Sequence, residues 1–324
     1  MGAHDGRIGA TTMARDAVTS GTRVAAAAAV VLVALAVAAC GAPPVTGGNA
    51  PPGVVRVVAA EDFWGSIAAQ VGGSSAHVAS IITNPDVDPH AYEPTAADAR
   101  AVASAGLVIE NGIGYDPWMA KLVAADGSRA PMVLDVGALL HVPAGGNPHR
   151  WYDPVDVRRV VAAIAADLAR LDPSAAGSFA AGAHRFESVG LARYDALVAA
   201  IRSRYAGTPV GASESIFAML APALGLRLVT PPSFLRAVSE GSEVSAADIR
   251  TIDHQIRSHA IAIYVLNSQN VTPEVQAQLA LARAEHIPVA TITETLVPAG
   301  ATYQAWQVAE LEGIEAALAR AARR

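Results

Sequence analysis

A single cysteine, Cys40, and a single lysine, Lys121, occur in 324 residues. With one cysteine, no disulfide can form within the chain, whatever the redox state of its compartment. The scarcity of lysine beside plentiful arginine and alanine reflects a GC-rich coding sequence and carries no mechanism. There is no basic surplus: 23 Lys and Arg face 29 Asp and Glu, a net charge of −6, which argues against nucleic acid as a partner. No His-Glu-x-x-His helix occurs, and Gly211-Ala212-Ser213-Glu214 is not a nucleophile elbow. A zinc-hydrolase reading therefore finds no motif to rest on.

What is present begins with Arg7, Arg15 and Arg23, followed by the uncharged Ala-, Val- and Leu-rich run Val24–Ala39. This run is shorter than the roughly 20 residues a spanning helix needs and ends in small residues, the layout of a secretory signal. Val37-Ala38-Ala39-Cys40 resembles a bacterial lipobox, in which the cysteine is acylated before the signal is removed. The expectation is a signal peptide at residues 1–39, then lipidated Cys40 and a Gly-, Pro- and Asn-rich tether over 40–53. Such a protein is exported and anchored by lipid at the outer face of the cell membrane. The competing reading makes Cys40 a buried apolar thiol.

From Val54 onward the chain is long enough for two domains. Strand-length apolar runs at Val54–Ala59, His77–Thr83, Leu107–Asn111 and Met132–Val136 alternate with helical stretches at Trp64–Val71 and Ala96–Ser104. That alternation is the mark of βα units on a parallel sheet. A second set follows, with strands at Thr208–Ala212, Leu226–Thr230, Ile261–Leu266 and Val289–Thr293 and helices at Ile216–Leu224, Ala246–Ser258 and Pro273–Glu285. Between the halves, Phe179, Phe186, Val189, Tyr194, Leu197 and Ile201 fall at helical spacing. Asp172-Pro173-Ser174 starts this segment and Gly207 closes it. The predicted fold is α/β: an N-terminal lobe over 54–172 and a C-terminal lobe over 207–324, each with a parallel sheet, bridged by one long α-helix over 173–206. Two shorter helices, broken near Gly182 or Gly190, are the alternative.

Four loops carry groups able to hold a metal, each read as following a strand, where ligands of open α/β sheets collect. His90 lies in Asn84-Pro85-Asp86-Val87-Asp88-Pro89-His90-Ala91-Tyr92-Glu93-Pro94, a loop stiffened by three prolines. His149 lies in Asn147-Pro148-His149-Arg150-Trp151-Tyr152-Asp153-Pro154, a second Pro-His pair. Ser213-Glu214-Ser215 and Thr293-Glu294-Thr295 each set an acid at a strand end of the other half. Carboxylates meeting at a cleft repel, and a shared cation neutralises them. The blander readings are surface-loop histidines, a helix N-terminal acid at Glu214 and a solvated acid at Glu294.

These two histidine segments and the order of the four loops resemble the zinc/manganese-type substrate-binding lipoproteins of bacterial ABC transporters, the ZnuA/TroA-like family. The similarity runs from Val54 to Ala321 and includes the closing Tyr303-Gln304-Ala305-Trp306 helix. It implies two α/β lobes joined by a helix, with His90, His149, Glu214 and Glu294 at the four ligand positions. The family's fourth ligand is usually an aspartate in a Thr-Asp-Ser type loop, so Glu294 departs from it by one methylene. The resemblance also implies a monomeric receptor without organic cofactor that delivers its ion to an ABC permease.

Two imidazoles and two carboxylates suit Zn²⁺ or Mn²⁺. Glutamate at the third position is commoner in manganese-type members, and the acidic His-rich loop of zinc-type members is missing from Leu139-Leu140-His141-Val142-Pro143-Ala144-Gly145-Gly146. Affinity nonetheless rises from Mn²⁺ to Zn²⁺ at nearly any such site, so both stay open. A surface adhesin is a second class consistent with a lipid anchor. Ser239-Glu240-Gly241-Ser242-Glu243 reads as helix capping by Glu243 or Ser245, or as a lid over the cleft.

Overall fold

The computed structural model describes residues 53–125 and 131–323. The signal segment, Cys40 and nearly all of the tether lie outside the described residues. Among those described, no helix is long and apolar enough to cross a membrane.

The first half forms β1 (Val55–Glu61), α1 (Asp62–Gly72), β2 (Ala76–Ile82), α2 (Ala96–Ala103), β3 (Leu107–Glu110), α3 (Pro117–Ala125), β4 (Met132–Asp135), α4 (Val136–Leu139) and α5 (Pro154–Leu171). Its four strands are parallel in the order β2-β1-β3-β4. Strand β1 is buried along nearly its whole length, as a central strand covered on both faces must be. Helix α5 starts where the sequence signals it: Asp153 accepts from the N–H groups of Val155 and Asp156, and Pro154 occupies the first turn.

The bridge is not one unbroken α-helix. It consists of α6 (Ala176–Arg185), a π-helical turn over Phe186–Gly190 and α7 (Ala192–Tyr205). The N–H of Leu191 reaches back five residues to the carbonyl of Phe186 at 2.9 Å. The extra residue in that turn shifts the helical register. Val189, expected on the inner face, is therefore 70% exposed, while Phe186, Leu191 and Tyr194 are all buried. Gly182 lets the bridge sit directly on α1, because a Cβ there would lie 2.2 Å from the carbonyl oxygen of Val71. Gly207, at φ +80°, turns the chain out of α7.

The second half contains β5 (Pro209–Ala212), α8 (Phe217–Leu224), β6 (Arg227–Leu228), α9 (Pro232–Ser239), α10 (Ala246–Arg257), β7 (Tyr264–Asn267), α11 (Pro273–Ala284), β8 (Val289–Ile292) and α12 (Tyr303–Ala321). Its strand order, β6-β5-β7-β8, repeats that of the first sheet. Ser245, not Glu243, caps α10, accepting from the N–H of Asp248.

Helix α12 ties the lobes together. Its Tyr303 donates from the hydroxyl to the carbonyl of Trp151 (2.6 Å), and its Gln304 exchanges amide hydrogen bonds with Gln70 of α1 (2.7 and 3.0 Å). The Tyr152 hydroxyl lies within hydrogen-bond distance of the carbonyl of Thr293 (2.7 Å) and of Glu310 Oε2 (2.5 Å). One continuous apolar core runs through both lobes and the bridge, with Phe63 stacked on Trp151 at 4.0 Å.

Candidate metal centre

The parallel winding sends the carboxyl ends of β5, β7 and β8 to one edge of the second sheet, where Glu214, Asn267 and Glu294 stand. Glu214 lies two residues past β5, Asn267 ends β7, and Glu294 lies two residues past β8. From the first lobe, His149 enters at the start of the short helical turn Arg150–Tyr152. This histidine loop was expected directly after a strand. It instead follows α4 and a turn, because Asp135 caps α4 as soon as β4 ends.

His149, Glu214 and Glu294 each offer a ligating atom within 4.8 Å of the others, the group of this kind found among the described residues. All three are buried, His149 completely. His90 does not join them. It is exposed on the cleft wall, its ring 4.7 Å from that of Tyr115 in an edge contact. Its loop is held from below: Asp88 accepts the N–H of His90 (2.8 Å), and the indole of Trp118 donates to the carbonyl of Pro89 (3.1 Å). Of the four expected residues, His90 and Glu294 line a cleft of about 810 Å³ together with Asn147, Ser239 and Gln269, whereas His149 and Glu214 are buried and take no part in its lining. Glu240 and Gly241 also line it, so the acidic stretch borders the cleft rather than only preceding α10.

Asn147 determines which nitrogen of His149 is bare. Its Oδ1 accepts the backbone N–H of His149 (3.0 Å) and lies 2.8 Å from Nδ1, while its Nδ2 donates to the carbonyl of Ser215 (2.7 Å). An amide oxygen can only accept, so Nδ1 carries the proton and Nε2 presents its lone pair. That Nε2 is buried, has no hydrogen-bond partner, and lies 3.6 Å from Glu214 Oε1. Burial, with the His90 ring as a lesser cause, pulls the His149 pKa down to about 3. The imidazole is therefore neutral at physiological pH, and the approach of Nε2 to Glu214 is not an ion pair.

Burial pushes Glu214 up to about 8, with the neighbouring Glu294 as the second cause. Glu294 is also raised, chiefly by burial, although hydrogen bonds from Asn267 and Tyr115 oppose the shift. The Tyr115 hydroxyl donates to Glu294 Oε2 at 3.0 Å across the lobe boundary. Gln269 accepts from the N–H groups of Glu294 and Thr295 and donates to Thr295 Oγ1 and to the carbonyl of Pro85 in the His90 loop. Asn147, Tyr115, Asn267 and Gln269 were not singled out from the sequence. A polar residue at the end of β7, beside two acid-bearing strand ends, was the available signal for Asn267.

Two acids whose pKa values burial raises and a neutral imidazole, packed together, form a place where a divalent cation would exchange protons for metal bonds. Residues 57–317 match the family model described as the zinc-uptake complex component A, periplasmic. The chain belongs to this ZnuA family. Among relatives, the manganese-binding lipoprotein MntA of Halalkalibacterium halodurans is 29% identical over 135 residues, 41% of this chain and 45% of that protein. The match thus spans less than half of the MntA chain. The iron-binding protein YfeA of Yersinia pestis is 26% identical over 219 residues, 64% of this chain and 68% of its own. Among solved structures, FpvC of Pseudomonas aeruginosa in complex with Ni²⁺ superposes with a TM-score of 0.67 at 20% identity, covering 82% of this chain and 97% of FpvC. An Mn-bound S38A mutant of a periplasmic metal-binding protein from Candidatus Liberibacter asiaticus gives 0.69 at 19% identity, covering 82% and 99%. At such identities these likenesses establish the bilobed fold, and the family indicates a binding protein rather than an enzyme.

Proposed function

We propose that this chain captures one divalent transition-metal ion, Zn²⁺ or Mn²⁺, between its lobes and delivers it to the permease of an ABC importer. His149 Nε2 and oxygens of Glu214 and Glu294 ligate the ion, and His90 joins from the cleft wall as the fourth ligand. The carrying observation is the bare, buried Nε2 of His149 facing two buried carboxylates of the opposite lobe. Ligands contributed by both lobes make the ion a clamp, so release requires one lobe to shift. Capture needs no catalytic group and no organic cofactor.

The site opens to the cleft beside the His90 loop, which suits entry of a hydrated ion that sheds water as it descends onto His149. Lipidated Cys40 and its tether hold the receptor as a monomer at the outer face of the membrane, near its permease. What bears on this arrangement is the order of leader, lipobox and tether in the sequence together with family membership. Relatives described as binding manganese and iron, and solved neighbours carrying Ni²⁺ or Mn, support a divalent transition-metal ion as the cargo.

Elemental analysis of protein purified without added ions, followed by competition between Zn²⁺ and Mn²⁺, tests the proposal. One equivalent of bound divalent metal is the expected result. Protein that carries none and takes up none on addition would reject it.

A further inference from the structure

We infer that Asn267 is a specificity-determining residue that makes both acids bind through one oxygen each, so that the site selects four-coordinate ions such as Zn²⁺ over Mn²⁺. The inference rests on the metal site proposed above. Its ground is the strand order: β7 lies between β5 and β8, so the last residue of β7 stands between the acids that follow its two neighbours.

The orientation of the Asn267 amide follows from its hydrogen bonds. Its Oδ1 accepts the backbone N–H of Gln269 at 3.0 Å, which directs the NH₂ group the other way. Nδ2 has two hydrogens, and two acceptors stand before it: Oε2 of Glu214 and, at 2.8 Å, Oε1 of Glu294. Both hydrogens are used, one on each acid. The residue is 1% exposed, so water cannot take the place of either acceptor. The oxygens that the fixed amide does not hold are one on each carboxylate, and one that accepts only a rotatable hydroxyl keeps a lone pair for an ion without any turn of the carboxylate. Glu214 Oε1 is the atom 3.6 Å from His149 Nε2, and Glu294 Oε2 is the atom that receives the Tyr115 hydroxyl.

Two single oxygens with two imidazole nitrogens complete a four-coordinate set, which Zn²⁺ prefers and Mn²⁺ does not. To reach higher coordination with protein atoms alone, Mn²⁺ must draw in the second oxygen of one or both acids. Each such rotation strips an acceptor from a buried amide hydrogen, at a cost of roughly one to two orders of magnitude in affinity. The same amide holds the acids side by side before the ion arrives, which is the preorganisation a tight site requires. The third-position glutamate, taken alone, leans toward manganese; the residue between the two acids reverses that preference.

The experiment uses the full chain, stripped of metal, as wild type, Asn267→Ala and Asn267→Ser, with retained folding checked by thermal melting. Serine keeps an acceptor for the Gln269 N–H and serves if the alanine variant does not fold. The first readout is the ratio of Zn²⁺ to Mn²⁺ affinity from competition titration. A merely structural loss weakens both ions alike and leaves this ratio unmoved, whereas the inference expects it to fall at least tenfold in the variants. The second readout is the visible absorption of bound Co²⁺, which is intense in four-coordinate and weak in six-coordinate sites. Intense absorption in the wild type that weakens in the variants is expected. An unchanged ratio in a folded variant, or a weak band in the wild type, would overturn the role of Asn267 while leaving metal capture intact. A wild type that binds neither ion would instead remove the metal site itself.

Discussion

The imidazole of His149 is buried without a partner for Nε2 and locked in one tautomer by an asparagine two residues earlier. An imidazole in this state binds metal without first losing a proton, and Asn147 is the group that aims it. Replacing His149 with alanine is expected to weaken metal binding at least a hundredfold in a calorimetric titration, since the deepest ligand is lost. Asn147→Ala should weaken it by roughly ten- to a hundredfold, the usual effect of removing a group that orients a ligand. Equal affinities in wild type and Asn147→Ala would mean that something other than Asn147 holds the ring. His90 sits on the exposed wall, so His90→Ala should cost less than His149→Ala in the same titration.

At the scale of elements, the bridge and the two sheets decide what can move. Helix α6 lies against α1 through Gly182, and a methyl group there would press on the carbonyl of Val71. Gly182→Ala is expected to lower stability by about 1–3 kcal/mol in denaturant titration, the usual cost of overpacking, and to leave metal affinity unchanged. The sheets and most helices were legible in the sequence because βα alternation, Asp153-Pro154 and Gly207 act locally. The π turn was not: helical spacing fits Val189 as well as Leu191, and only the packing of Phe186 and Tyr194 decides between them. The same contrast holds at the site. His149, Glu214 and Glu294 could be read from chemistry and position, and they do meet. The residues that orient them are spread over the loop before His149, the loop between β3 and α3, and β7 with its following loop, and their roles depend on strand order and on contacts between lobes. His90 stands apart from that buried group because its loop rides on Trp118 at the rim, and its place as the fourth ligand belongs to the proposal.

For the molecule as a whole, buried acids set the dependence of stability on pH. Burial raises Glu110 to about 7, Glu214 to about 8 and Glu310 to about 8, from an ordinary 4.5. A group whose folded pKa is raised holds its proton more tightly folded than unfolded. Its contribution is complete below 4.5 and is lost as pH climbs through the folded value. His149 acts in the opposite sense: lowered from 6.5 to about 3, it costs stability as pH falls from 6.5 toward 3. Between pH 6.5 and 8 the histidine contributes no slope and the acids do, so metal-free protein should melt at progressively lower temperature across that window. In the proposed site the ion takes the place of the Glu214 proton, so the rise in melting temperature on adding Zn²⁺ should grow from pH 6.5 to 8. A metal-induced rise that shrinks with increasing pH would show that these acids do not exchange protons for the ion. The hydrogen bonds of Tyr152, Tyr303 and Gln304 across the lobes also limit hinge motion, so scattering profiles of free and loaded protein should nearly coincide.

The central claim is that one lobe's imidazole and the other lobe's carboxylates share a single ion. Its most direct test is calorimetric titration of Zn²⁺ into metal-stripped protein, comparing wild type with the paired variant His149→Ala, Glu214→Ala. The account predicts tight binding at one ion per chain in the wild type and no detectable binding at that site in the variant. Undiminished one-to-one binding in a folded variant would contradict it.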